Sequence, residues 1–202
     1  MEKPIFWIVA GPNGAGKSTV VNHVLDKNIE VLNPDEYARN QLKSGSKSAL
    51  FMGSKHILED IETRLHANQK SSFGIETTFS GKYHLRIMHQ AKEKGWMVGL
   101  LFIGTDSYEM NIWRVRQRIQ RGGHYVGPAE IKRRYYRCLS HLSEGLQIAD
   151  IAYVYDNTSD SMQLLVSKCL DGKLEAHARF PSWLKELSIA ALENVNPVYQ
   201  DA

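Results

Sequence analysis

Apolar positions fall in blocks along this chain, and the blocks alternate between two periods. Ile5 to Ala10 is a continuous apolar run, the pattern of a strand buried on both faces. Gly11 to Gly16 is a glycine-rich turn. From Lys17 to about Leu25, Val20, Val21, Val24 and Leu25 gather on one side and predict a helix. Glu30 to Leu32 predicts a short second strand, ending at Asn33-Pro34-Asp35. Leu50, Ile57, Leu58, Ile61 and Leu65 recur at the helical period, which predicts a long helix over about Ser48 to Gln69. Ser72 to Ile75 reads as a third strand, ending at Glu76-Thr77-Thr78. A helix near Tyr83 to Lys94 is stopped by Gly95, and Trp96 to Ile103 is a fourth, almost wholly apolar strand. A helix around Tyr108 to Gln120 stops at Gly122-Gly123. Another runs from about Pro128 to Gln147, before a fifth strand at Ile151 to Tyr155.

Strands that alternate with helices argue an α/β fold with a parallel sheet covered on both faces. The expected architecture is a P-loop NTPase three-layer sandwich around a mostly parallel five-stranded sheet, like that of nucleoside and small-molecule kinases. Residues 1–174 form the expected domain. Residues 175–202 form an appendage with a short amphipathic helix from Trp183 to Leu192.

Composition changes this picture little. The 202 residues are 43% hydrophobic and 23% charged, ordinary for a globular protein. A net charge of +3 is too weak to imply nucleic acid by itself. The eight histidines show no metal-ligand spacing. Cys138 and Cys169 form no CxxC pair and read as thiols. The run Ile5 to Ala10 is too short for a membrane span, so a cytoplasmic location and no membrane partner are expected.

The chemistry begins at Gly11-Pro12-Asn13-Gly14-Ala15-Gly16-Lys17-Ser18, followed by Thr19, which fits G-x-x-x-x-G-K-[ST]. Its glycines let backbone N–H groups converge on phosphate oxygens, and the helix N-terminus adds partial positive charge. Lys17 would reach the β- and γ-phosphates, and Ser18 would hold Mg²⁺. The motif lies between an apolar strand and a helix, as it requires. The loop alone does not choose among nucleotide enzymes. An LSGGQ-like signature is absent, which argues against an ABC ATPase, and DxxG and NKxD elements are not in the places a GTPase has them.

In an open parallel sheet, ligands bind beyond the carboxyl ends of the strands. The second strand delivers Asp35 there, and the third delivers Glu76, Thr77 and Thr78. A carboxylate near a γ-phosphate can accept the proton of an attacking hydroxyl. Asp35 could equally be an N-cap, and Glu76 a strand-end charge or a Walker-B acid. Arg114, Arg116, Arg118 and Arg121 precede the glycine pair; Lys132, Arg133, Arg134 and Arg137 follow it, with only Glu130 to offset them. Such charge over the phosphates would offset the transition state, and the glycines would let the segment close as a lid. A solvated basic face and a nucleic-acid patch are the competing explanations.

Taken in order, these groups resemble the zeta-toxin family of P-loop kinases. The resemblance runs over roughly Ile5 to Asn157. It joins Gly11 to Thr19, Asn33-Pro34-Asp35, Glu76-Thr77-Thr78, Arg118 with Gly122-Gly123-His124, Arg134-Tyr135 and Tyr155-Asp156-Asn157. It implies transfer of the ATP γ-phosphate, with Mg²⁺, to a nucleotide sugar, UDP-N-acetylglucosamine in the characterised toxins. It also implies a small antitoxin partner that blocks the ATP site. On this resemblance Asp35 matches the catalytic base and Glu76 a sugar-binding residue, with Thr77, Thr78 and His124 on the acceptor. Arg118 and Arg134 look like the phosphate-clamping arginines beside Lys17, and Asp156 and Asn157 would lie near the adenine. Where the family reads Val-Pro after the histidine, this chain reads Val126-Gly127-Pro128. The alternative is a nucleotide-dependent regulatory or nucleic-acid-binding ATPase without small-molecule kinase activity. On balance nucleic acid is not the expected partner.

Overall fold

A computed structural model describes residues 3–41, 47–120, 125–185, 187, 192 and 195–198. The five expected strands are present: β1 (Ile5–Ala10), β2 (Glu30–Leu32), β3 (Phe73–Thr77), β4 (Met97–Gly104) and β5 (Ile151–Asp156). They lie parallel in the order β2-β3-β1-β4-β5. The helices that connect them are α1 (Lys17–Val24), α2 (Pro34–Gln41), α3 (Lys47–His66), α4 (Tyr83–Glu93), α5 (Tyr108–Gln120), α6 (Pro128–Ser140) and α7 (Leu142–Ile148).

Apolar runs such as that of β1 feed two cores, because successive side chains point to opposite faces. Phe6, Ile8, Phe73, Ile75, Leu100 and Phe102 join one core with Ile61 of α3, Met88 of α4, Tyr135 of α6 and Leu146 of α7. Trp7, Val9, Leu101 and Ile103 join the smaller core with Val20 of α1. Each large side chain so buried contributes about 1.5–3 kcal/mol before conformational entropy is counted.

Three features depart from the expectation. First, the sheet continues past β5 through β6 (Gln163–Lys168) and β7 (Leu174–Ala176), both antiparallel to their predecessors, to β8 (Asn196–Pro197), which gives eight strands among the described residues where five were expected. Second, the helix expected from Pro128 to Gln147 breaks at His141 into α6 and α7. The imidazole Nδ1 of His141 lies 2.8 Å from the Phe79 carbonyl oxygen, an acceptor only, so this nitrogen carries the proton. Third, residues past Leu174 belong to the main core. Ala176, Ala178, Trp183 and Leu184 are buried, and α8 (Ser182–Lys185) is short. The rest of the helix expected to Leu192 falls on residues 186 and 188–191, outside the described residues, apart from Leu187 and Leu192 themselves.

Candidate active site

Register fixes the site. Ala10 pairs with Thr77 on one side and Phe102 on the other, and Val9 pairs with Glu76. The phosphate loop therefore leaves β1 beside the polar end of β3. Gly16 takes φ +90°, and a Cβ there would meet the Asn157 amide at 2.4 Å, so only glycine makes this turn comfortably. Helix α1 then starts at Lys17 without a side-chain cap, which leaves its first N–H groups aimed along the loop. Lys17 is buried; its Nζ donates to the carbonyl oxygens of Gly11 (3.0 Å) and Pro12 (3.1 Å) and stands 3.9 Å from Glu76 Oε1. Burial pushes its pKa down, and the Glu76 carboxylate opposes that shift.

A cavity of about 390 Å³ opens beside Lys17. Its donor side holds Asn13 and Gly14 as well as Lys17; Asp35, Glu76, Thr77 and Thr78 bring the acceptor groups, and Arg118 and Arg134 the positive charge. Of the other expected nucleotide-binding residues, Gly11, Pro12, Ala15, Gly16, Ser18 and Thr19 lie on the loop and the first turn of α1, outside the lining of this cavity. His124 and the hinge pair Gly122-Gly123, with Arg121, lie outside the described residues.

Asp35 sits in the first turn of α2, and its N-cap is Asn33. Asn33 Oδ1 accepts from the N–H of Asp35 (3.0 Å) and of Glu36 (3.3 Å). These capping bonds belong to Asn33, not to Asp35, which was the competing role for that aspartate. Glu76 is more than a strand-end charge. Its Oε2 accepts from Ser18 Oγ at 2.7 Å, which joins the end of β3 to the first turn of α1. The described residues hold no group of three or more His, Cys, Asp or Glu side chains suited to a metal. One hydroxyl and one carboxylate nevertheless fit Mg²⁺, which takes few protein oxygens and fills its octahedron with phosphates and waters.

The arginines divide by role. Arg114 turns away from the cavity and donates to the carbonyls of Asn157 (2.7 Å) and Thr158 (3.1 Å). Arg134 lines the cavity, yet its Nε donates to Glu130 Oε1 at 2.5 Å, one turn earlier on α6. Arg133 pairs with the same carboxylate, and together they hold the Glu130 pKa down at about 2. Arg116, Arg133 and Arg137 are exposed and account for the solvated part of the basic segment. The inserted Gly127 is the N-cap of α6, and Pro128 begins the helix, where its missing N–H costs nothing.

Two groups escaped sequence reasoning. His84 lines the cavity, and burial lowers its pKa to about 4, so it is neutral at pH 7. Its Nε2 lies 2.9 Å from Thr77 Oγ1, which accepts the Phe79 N–H at 3.0 Å. Phe79, fully buried at φ +54°, is thus fastened from both sides, by Thr77 and by His141. Ser54, Ile57 and Leu58 of α3 also line the cavity. Their spacing was visible in the helical period, but not what they face. Asp156 ends β5, and Asn157 follows it in the turn. Asn157 Nδ2 donates to the Ala15 carbonyl at 2.8 Å, while Asp156 accepts from Thr158 and Trp183.

A parallel sheet ordered β2-β3-β1-β4-β5, with a phosphate loop after the central strand, defines a P-loop fold of the kinase type. The zeta toxin family profile matches residues 1–165, and the chain belongs to that family. Its family and fold are those of P-loop phosphotransferases. An uncharacterized protein of Haemophilus influenzae is 30% identical over 134 residues, 66% of this chain and 93% of its own length. Among solved structures, AvrRxo1-ORF1 in complex with ORF2 and ATP shares the fold with a TM-score of 0.66 at 15% identity. The match covers 98% of this chain and 66% of that one. The PezAT chromosomal toxin–antitoxin system of Streptococcus pneumoniae shares it with a TM-score of 0.61 at 16% identity, over 95% of this chain and 85% of the other. No described helix is long and apolar enough to cross a membrane.

Proposed function

We propose that this protein transfers the γ-phosphate of ATP to a hydroxyl of a small molecule, UDP-N-acetylglucosamine or a related nucleotide sugar. The observation that carries this is the shared cavity: Asp35 opens onto the same space as Lys17, Arg118 and Arg134. A carboxylate for the acceptor proton and three cations for the phosphoryl group are what an in-line transfer needs.

In this scheme Asp35 takes the hydroxyl proton, the acceptor oxygen bonds to the γ-phosphorus, and the bond to ADP breaks. Lys17, Arg118 and Arg134 offset charge on the moving phosphoryl. Ser18 and Glu76 would hold Mg²⁺, which would supply charge neutralisation to the phosphates when bound. This gives Glu76 a second role beside the sugar contact that the resemblance implies. Asn157 supports the loop from the nucleotide side. The toxin–antitoxin neighbour and the family support a small antitoxin as protein partner. The nucleic-acid alternative draws less support, because Arg114 is turned inward onto the Asn157 and Thr158 carbonyls.

The test is ATP consumption with and without UDP-N-acetylglucosamine. A sugar-dependent rise, with a phosphorylated sugar nucleotide as product, is the expected result. Consumption that rises with no sugar nucleotide overturns the acceptor. Salt-sensitive oligonucleotide binding in its place would favour the alternative.

A further inference from the structure

The strongest features outside the cavity converge on the turn after β5. Asn157 N–H donates to the Gly104 carbonyl at 3.0 Å, and its side chain holds Ala15 of the phosphate loop. Arg114 of α5 clamps the next two carbonyls. Thr158 Oγ1 accepts from the Asp106 N–H at 2.9 Å and donates to Asp156 Oδ1 at 2.6 Å. The same oxygen of Asp156 accepts the indole N–H of Trp183 at 3.0 Å. Every bond but this last one is made by residues within 1–165, the part that the family profile matches.

Trp183 is placed with little freedom. Its ring stacks on Phe102 at 6.2 Å between centroids and covers Gly104 so closely that a Cβ there would lie 2.3 Å from it. It is 3% exposed, and Ser182 adds a bond to Asp106 at 3.2 Å. The end of β4 thus carries no side chain at Gly104 because the indole occupies that space. A buried N–H donor aimed at a carboxylate is a stronger and more directional tie than ring packing alone.

We infer that Trp183 is a positioning residue of the nucleotide site: through Asp156 and the turn that follows, it sets the Asn157 side chain against Ala15, and so sets the shape of the phosphate loop. The C-terminal segment is then a working part of the site, although it touches no substrate. This inference rests on the loop's being a nucleotide site but not on the acceptor.

The experiment is calorimetric binding of a non-hydrolysable ATP analogue, with Mg²⁺ and no acceptor, to the full chain. Trp183→Phe keeps an aromatic ring and removes the N–H. It is expected to weaken binding about tenfold, the scale of one lost hydrogen bond to a charged group. In an Asn157→Ala background the same change should weaken binding by less than about twofold, because the route to the loop is already cut. A Trp183 that only stabilises the fold would lower the melting temperature and leave affinity unchanged, or change it equally in both backgrounds; either result overturns the inference. Should Trp183→Phe fold poorly, Thr158→Val breaks the turn without touching the core and carries the same expectation. If the unaltered protein does not bind the analogue, the kinase proposal and this inference fall together. If it binds and the variants bind alike, this inference alone falls.

Discussion

The two sides of the cavity are built by different means. On the donor side, the phosphate loop is backbone geometry: Gly16 in a left-handed turn, Lys17 folded back onto the Gly11 and Pro12 carbonyls, and the start of α1. On the acceptor side, the groups are side chains from separate elements: Asp35 from α2, Glu76 and Thr77 from β3, His84 from α4, and arginines from α5 and α6. The donor side is written in eight consecutive residues. The acceptor side exists only once the sheet has brought distant segments together.

Five changes break or sharpen that contrast. The largest effect is expected for Asp35→Asn, which should lower transfer by roughly 10² to 10⁴, the usual worth of a general base. Because Asn33 makes the capping bonds, the melting temperature should hold. A near-normal rate in steady-state assays would remove the base from the mechanism. Lys17→Ala comes next, with a loss of at least ~10²-fold in transfer, the scale of one preorganised charge. Retained turnover would move the reaction away from the phosphate loop.

Arg134→Ala should lower kcat about tenfold, or about 1.4 kcal/mol of barrier, and change ATP affinity less. Glu130→Gln sharpens the point. It frees Arg134 from its ion pair, so kcat should not fall; a fall comparable to that of Arg134→Ala would show that the pair itself holds the arginine in place.

The last effect falls on stability, not on rate. The pKa of His84 is lowered by burial from 6.5 to about 4 in the folded chain. The unfolded state therefore binds more protons between these values, and stability falls as pH drops from about 6.5 towards 4. The full loss is roughly 3 kcal/mol as an order of magnitude, since one pKa unit corresponds to about 1.4 kcal/mol. Urea unfolding at pH 7 and pH 4.5 measures it, and His84→Gln should flatten the difference attributable to this group. An equal slope in the variant would assign the effect elsewhere.

The contrast also explains what sequence could reveal. The phosphate loop, β1 and β4 announce themselves because motif and apolar run are local. Asp35 and Glu76 were legible as strand-end carboxylates, but the partner of each was not: the Asn33 cap and the Ser18 hydroxyl depend on turn geometry and strand register. The arginines show the limit most clearly. Arg114 and Arg118 share a helix face by spacing, yet one clamps a turn and the other lines the cavity. Strand β6 carries Leu164, Leu165 and Val166, a short apolar signal that the alternating β-α rhythm upstream obscured. Trp183 reads as part of a short amphipathic helix in an appendage because its burial partners, Phe102 and Gly104, lie far back in the chain.

The central place of β1 has a consequence for synthesis. Although β1 is made first, both of its neighbours come later: β3 ends at Thr77 and β4 at Gly104. The phosphate loop therefore cannot be shaped by its own strand pairing until the chain through Gly104 has emerged from the ribosome. The bracing from Asn157 arrives later still, and Trp183 last. The nucleotide site, whose residues open the sequence, is among the last parts of the molecule to become complete, and a nascent chain halted before β5 would display the motif without the site.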